Sequence, residues 1–273
     1  MNAFRTTAID QHLTDRDISL LEDLEQYRLL TVRQIQRLHF PVQPLGQHVS
    51  AGAATRGTTR ILSRLEALGM VARLERRIGG IKHGSSSTIW HLGSAGERFL
   101  RTQRGDPVRR RYSEPGLTFV NHTLAVADTA VAIRERAAAG YFDLLVLDSE
   151  PACWLTFTGA GGETLTLKPD LFAATADATT ETHSFIEVDL GTEHLPAILR
   201  KCRLYQRYER TGIEQESRGL FPAVVWLVPT AKRLGAIRNA IAADRALDTG
   251  LYWVTTHEQA LEQLAPYEGD NIT

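Results

Sequence analysis

Two short apolar runs, Leu165-Thr-Leu-Lys168-Pro169-Asp170 and Phe185-Ile-Glu187-Val-Asp189, each end in carboxylates, and this limits the folds open to the chain. Their composition suits strands, in which successive side chains point to opposite faces. Lys168 and Asp170 then share one face, opposite Leu167 and the ring of Pro169, while Phe185, Glu187 and Asp189 share a face opposite Ile186 and Val188. If the strands are neighbours, three carboxylates meet beside a lysine. Buried like charges are costly, so the pattern calls for a divalent cation or a network neutralised by Lys and Arg. A helix-like segment follows, in which Lys201 and Tyr205 lie four residues apart on one face and Tyr208 continues the stripe. Tyr205 and Tyr208 also suit the edge of a core.

With 273 residues the chain can bury a sizeable core, as one large domain or two ordinary ones. Charge favours two. Residues 50–111 hold thirteen Lys and Arg against four Asp and Glu, whereas residues 112–273 hold thirteen against twenty-two. A basic block before an acidic one suggests a nucleic-acid-binding part joined to a part with different work. Cys153 and Cys202 are the only cysteines, so a disulfide framework or zinc ribbon is not expected. Acidic residues through the first thirty positions interrupt any signal-peptide core, and no apolar run is long enough to span a bilayer. The expected location is the cytoplasm.

Thr14 is a candidate N-cap for a helix to about Leu30, and Thr31-Val-Arg-Gln34 reads as a capping box opening a second helix through Leu38. After a loop over 41–55, a third helix from about Ala54 to Leu68 turns Ile61, Leu62, Leu65 and Leu68 inward, and Gly69 stops it. Val71–Ile78 and Thr88–Leu92 read as a hairpin with a basic tip, followed by a capping box at Ser94-Ala-Gly-Glu97 and a short helix. Three helices, a two-stranded wing and a closing helix make a winged helix-turn-helix. Arg56, Arg60 and Arg64 recur every four residues on the third helix, opposite the leucines, and Arg76, Arg77, Lys82 and His83 crowd the wing. These seven are the candidate DNA-binding residues, the helix entering the major groove and the wing tip meeting phosphate or the minor groove. The plainer alternative is a solvated helix face.

Residues 106–118, with Pro107, Pro115 and Arg109-Arg-Arg111, read as a linker. Beyond it the periodicity predicts a long helix from Phe119 to Ala139 and strands at 143–150, 164–174 and 184–189. A helix at 195–211, a strand at 223–228, a helix at 231–243 and a strand at 251–255 follow. Glu150 and Glu193 are further acidic candidates, each equally suited to a turn or a helix start. No Gly-rich phosphate loop, Ser-His-Asp set or HExxH is present.

Pro169-Asp170, a spacer of sixteen residues and Glu187-Val-Asp189 before a helix resemble the PD-(D/E)XK nuclease core. In that core Asp and Glu hold Mg²⁺ and a Lys serves the attacking water. More narrowly, Lys168-Pro-Asp170, Ile186-Glu-Val-Asp-Leu-Gly-Thr-Glu193 and His122-Thr-Leu-Ala-Val-Ala-Asp128 resemble the replication-relaxation proteins of bacterial plasmids and integrative elements. That family pairs an amino-terminal winged helix with such a core. The resemblance implies an α+β chain of two domains: a winged helix-turn-helix at 1–105, the linker at 106–118, a nuclease-like α/β core with a mixed sheet at 119–265, and a frayed tail at 266–273. Asp170, Glu187 and Lys201 become the candidate catalytic residues, and Asp170, Glu187 and Asp189 the candidate Mg²⁺ ligands. Where a nuclease has Lys two residues after the Glu, this chain has Asp189. Lys201 is the candidate replacement, set against the plainer role of neutralising Glu187 or Asp189. The implied function is DNA binding in replication or transfer of a mobile element, with a Mg²⁺-dependent endonuclease or nickase activity expected to be weak or absent. Double-stranded DNA, other replication or transfer proteins and a second copy of the chain are the expected partners. The alternative is a winged-helix transcriptional regulator whose α/β domain dimerises or binds a ligand.

Overall fold

The computed structural model describes residues 13–74, 88–108 and 117–263. The chain forms two compact units, Met1–Val131 and Ala132–Thr273.

In the first unit, α1 (Asp15–Tyr27) opens on a reciprocal cap. The Asp17 N–H donates to Thr14 Oγ1 at 3.3 Å, and the Thr14 N–H to Asp17 Oδ2 at 2.8 Å. Such a cap contributes about 1 kcal/mol. Leu20, Leu21 and Leu24 fill the core without any exposure. Arg28 ends the helix at φ 64°, a left-handed conformation that a non-glycine residue holds only where the neighbours fix it. This brings Leu29 and Leu30 inward, and Leu30–Thr31 form β1. The expected capping box of Thr31 and Gln34 is present at the start of α2 (Val32–His39).

Helix α3 (Ala51–Ala67) begins earlier than the periodicity predicts, because Ser50 Oγ accepts from the Ala53 N–H at 3.3 Å. Ala54, Thr58, Leu62 and Leu65 face inward, whereas Leu68, expected inside, is 38% exposed at the helix end. Gly69, at φ +69°, then turns the chain into β2 (Val71–Arg73), which pairs antiparallel with β3 (Ile89–Leu92). β1 pairs antiparallel with the other side of β3, giving a three-stranded sheet of order β1-β3-β2. The hairpin tip, with Arg76, Arg77, Lys82 and His83, lies outside the described residues.

α4 (Ser94–Arg104) differs from expectation at its cap. Gly93 occupies the cap position without a side-chain bond, its N–H donating to the Met70 carbonyl, and Glu97 pairs instead with Arg101 one turn on. In α5 (Leu117–Ala138), Val120 joins Leu29, Leu74 and Ile89 in a buried cluster, with Leu124 packed against it. The Gln34 side chain also donates to the Leu124 carbonyl at 2.9 Å. The division between units falls within this helix, after Val131.

The second unit contains β4 (Asp143–Ser149), a hairpin of β5 (Leu155–Thr158) and β6 (Thr164–Leu167), then β7 (Leu171–Ala176) and β8 (Glu181–Val188). α6 (Leu195–Glu209), α7 (Ile213–Arg218), β9 (Ala223–Val228), α8 (Ala231–Ala243), β10 (Tyr252–Thr256) and α9 (His257–Gln263) follow. The main sheet has order β10-β9-β8-β7-β4, with β8, β9 and β10 parallel and β4, β7 and β8 antiparallel. It is therefore a mixed sheet within an α+β fold. β9 is apolar at every position, as a strand covered on both faces requires. Phe185, Val224, Trp226 and Val254 share a core with Ile198 and Cys202 of α6 and Ile237 and Ile241 of α8. Among the described residues no helix is long and apolar enough to cross a membrane.

The expected strand 164–174 is broken. Its halves belong to different sheets, and Lys168-Pro169-Asp170 is the link between them. Proline offers no ladder donor, so the sheet changes there.

Candidate functional site

The break decides where the carboxylates go. Asp170 stands at the head of β7, its N–H bonded to the Ile186 carbonyl at 3.2 Å and its Oδ2 accepting from the Val188 N–H at 2.8 Å. Glu187, next on β8, is 1% exposed and faces α6. Tyr205 donates its hydroxyl to Glu187 Oε1 at 2.5 Å, and Lys201 forms an ion pair with Oε2. Asp189 lies just past the strand, and its Oδ2 accepts from Arg233 Nε of α8 at 2.6 Å. Arg233 also donates to Asp189 Oδ1 at 3.2 Å and to the Glu193 carbonyl at 2.6 Å, while the Gly191 N–H caps Oδ1 at 3.0 Å.

Lys168 is not the lysine of this cluster, contrary to the alternation argument. Its ammonium lies 4.2 Å above the ring of Trp154, because residues 168–170 are not strand and the alternation of faces lapses there. The Glu150 N–H holds the Asp170 carbonyl at 3.2 Å. Asp128 is engaged by Arg37 at 2.6 Å within the first unit.

Burial pushes the Glu187 carboxyl up to about 8, and the Asp170 carboxylate adds to this while Lys201 and Tyr205 oppose it. For Lys201, burial alone would lower the pKa, but Glu187 and Asp170 outweigh it and hold the ammonium charged. The buried Lys201 charge thus acts on both Glu187 and Asp170. Tyr205 is raised well above the usual phenol range by burial and by Glu187, so it acts as a donor. Burial raises Cys153 and Cys202 to about 12, which keeps both as inert thiols.

Mg²⁺ requires near-octahedral oxygen ligands at about 2.1 Å. Both Glu187 oxygens are instead committed to Lys201 and Tyr205, and both Asp189 oxygens to Arg233 and Gly191. Among the described residues, no group of three or more His, Cys, Asp and Glu side chains is placed to hold a metal ion. In this arrangement a bound ion would share the Glu187 and Asp189 oxygens with these donors or displace them. A cavity of about 430 Å³ between α8 and β10, lined by Arg238, Trp253 and Thr255 among others, includes none of these carboxylates. Arg233 was not legible as a partner, since it lies 44 residues from Asp189 and no local pattern links them.

In the first unit Arg56 and Arg60 are exposed on α3, and neither has a hydrogen-bond or ion-pair partner among the described residues. Arg64 differs: its Nη2 reaches Asp17 Oδ1 at 2.5 Å, and Asp17 has no exposure. Burial would raise the Asp17 pKa, but Arg64 and the Thr14 donors outweigh it and hold the carboxyl below its usual value.

No curated protein and no solved structure matched the chain. The family model for replication-relaxation proteins matches residues 21–224, a span that takes in α3 and the Asp170–Glu187–Lys201 cluster. The chain belongs to the replication-relaxation family.

Proposed function

We propose that this protein binds duplex DNA through its first unit, acting as a winged helix with α3 in the major groove. Membership of the family suggests a part in replication or transfer of a plasmid or integrative element. In this reading the second unit has a PD-(D/E)XK-like core with little or no cleavage activity. The observation that carries the DNA reading is the outward face of α3, where Arg56 and Arg60 stand exposed above the buried Leu62 and Leu65. A helix anchored on one side by leucines and cationic on the other suits a phosphate-lined groove. The low cleavage rests on Glu187 and Asp189, whose oxygens already have protein partners.

The test combines binding and nicking. Full-length protein is titrated onto supercoiled plasmid with and without Mg²⁺ or Mn²⁺, and the plasmid forms are separated on a gel. Metal-independent retention without nicks is expected. Metal-dependent nicking that is lost in both Asp170→Ala and Lys201→Ala would make the second unit an active nuclease. Protection of a single palindrome with no affinity elsewhere would favour a transcriptional regulator.

A further inference from the structure

The three arginines of α3 do not form one uniform stripe. We infer that Arg56 and Arg60 read guanine bases, whereas Arg64 is a strut, so the preferred DNA carries two guanines one or two base-pair steps apart. This rests on the DNA-binding reading above.

Small residues share that outward face of α3. Gly52, Thr55, Thr59 and Ser63 are small, and the hydroxyls of Thr55 and Thr59 donate to the carbonyls of Ala51 and Thr55 one turn back. Thr55 Oγ1 also lies 3.0 Å from Gln36 Oε1 of α2. The threonine hydroxyls are thus occupied, and the face between the arginines is low. A low face lets a helix settle deep in the major groove, where long side chains reach base edges. Arg56 Nη1 lies 3.5 Å from where a Cβ at Gly52 would stand, so the glycine leaves the guanidinium room over the preceding turn. Arg64 has its guanidinium directed to the buried Asp17, and a reader withdrawn in this way is replaced by an anchor between α3 and the start of α1.

Arginine donates two parallel hydrogen bonds to O6 and N7 of guanine, a pattern no other base presents in the major groove. Four residues of helix rise about 6 Å, against about 3.4 Å per base pair, which sets the spacing of one or two steps. Charge complementarity supports the same partner, since residues 50–111 hold thirteen Lys and Arg against four Asp and Glu.

The test is selection of bound sites from a randomised duplex library by the full-length chain, repeated with Arg56→Ala, Arg60→Ala and Arg64→Ala. Two guanine positions should emerge for the wild type, and each of the first two variants should lose the preference at one of them by about tenfold to a hundredfold. Arg64→Ala should keep both preferences. Binding that falls equally on all sequences in Arg56→Ala and Arg60→Ala would overturn the guanine readout and reduce both residues to phosphate contacts. Loss of a guanine preference in Arg64→Ala would overturn the strut. No duplex binding by the wild type would instead overturn the DNA reading itself.

Discussion

Asp17 carries three duties at once, as cap partner of Thr14, as a buried anion and as the seat of Arg64. Removing Arg64 strands a buried carboxylate, while its own partial exposure moderates the loss, so Arg64→Ala should cost about 1–2 kcal/mol in chemical denaturation. Asp17→Asn with Arg64→Ala should cost less than the sum of the single changes; strict additivity would deny the pair. Because the folded Asp17 pKa is depressed, its stabilisation is present above the unfolded value of 3.8 and is lost as pH falls through the folded one. Glu187 has the opposite sign. Its raised pKa gives stability that is present below 4.5 and lost as pH climbs toward about 8, with a slope of at most about 1.4 kcal/mol per pH unit. Glu187→Gln should flatten that slope between pH 5 and 8, and an unchanged slope would show that Glu187 does not hold the proton.

At the scale of elements, what was legible followed local chemistry. Thr14 and Thr31 announced their helices by their caps, and the all-apolar run Ala223–Val228 announced a buried strand. Strand β1 is too short to show a period, and β5 could not be told from loop, because both exist through their pairing partners. The Lys168-Pro169-Asp170 break is hidden for a related reason: alternation of faces does not show a proline at which the chain leaves one sheet for another. The acids of the candidate site were legible as carboxylates at strand ends, but their partners Arg233 and Tyr205 come from helices whose place is set by packing. Gln34 ties two elements together by capping α2 and bonding the Leu124 carbonyl of α5. Gln34→Ala should therefore cost more than an isolated cap, about 1–2 kcal/mol in the melting of the first unit. A loss of only a few tenths would mean the link to α5 contributes nothing.

For the whole molecule, the division after Val131 has a consequence for dissection. A fragment ending at Gly105 lacks Val120 and Leu124 and uncovers Leu29, Leu74 and Ile89. It should be less stable than a fragment ending at Ala139, by about 2–4 kcal/mol from the apolar surface uncovered. Equal melting temperatures would confine the first unit's stability to the residues before the expected linker. Controls for DNA binding follow from the same map. Arg233 is unsuitable because it holds Asp189, whereas Lys232 and Arg245 are exposed on the second unit. The most direct test of DNA recognition by α3 is a titration of a fluorescent duplex by the full-length chain between 50 and 200 mM salt. Binding should fall steeply with salt, and Arg56→Ala with Arg60→Ala should weaken it at every salt concentration, while Lys232→Ala with Arg245→Ala leaves it unchanged. Equal losses from the two pairs would contradict recognition by α3.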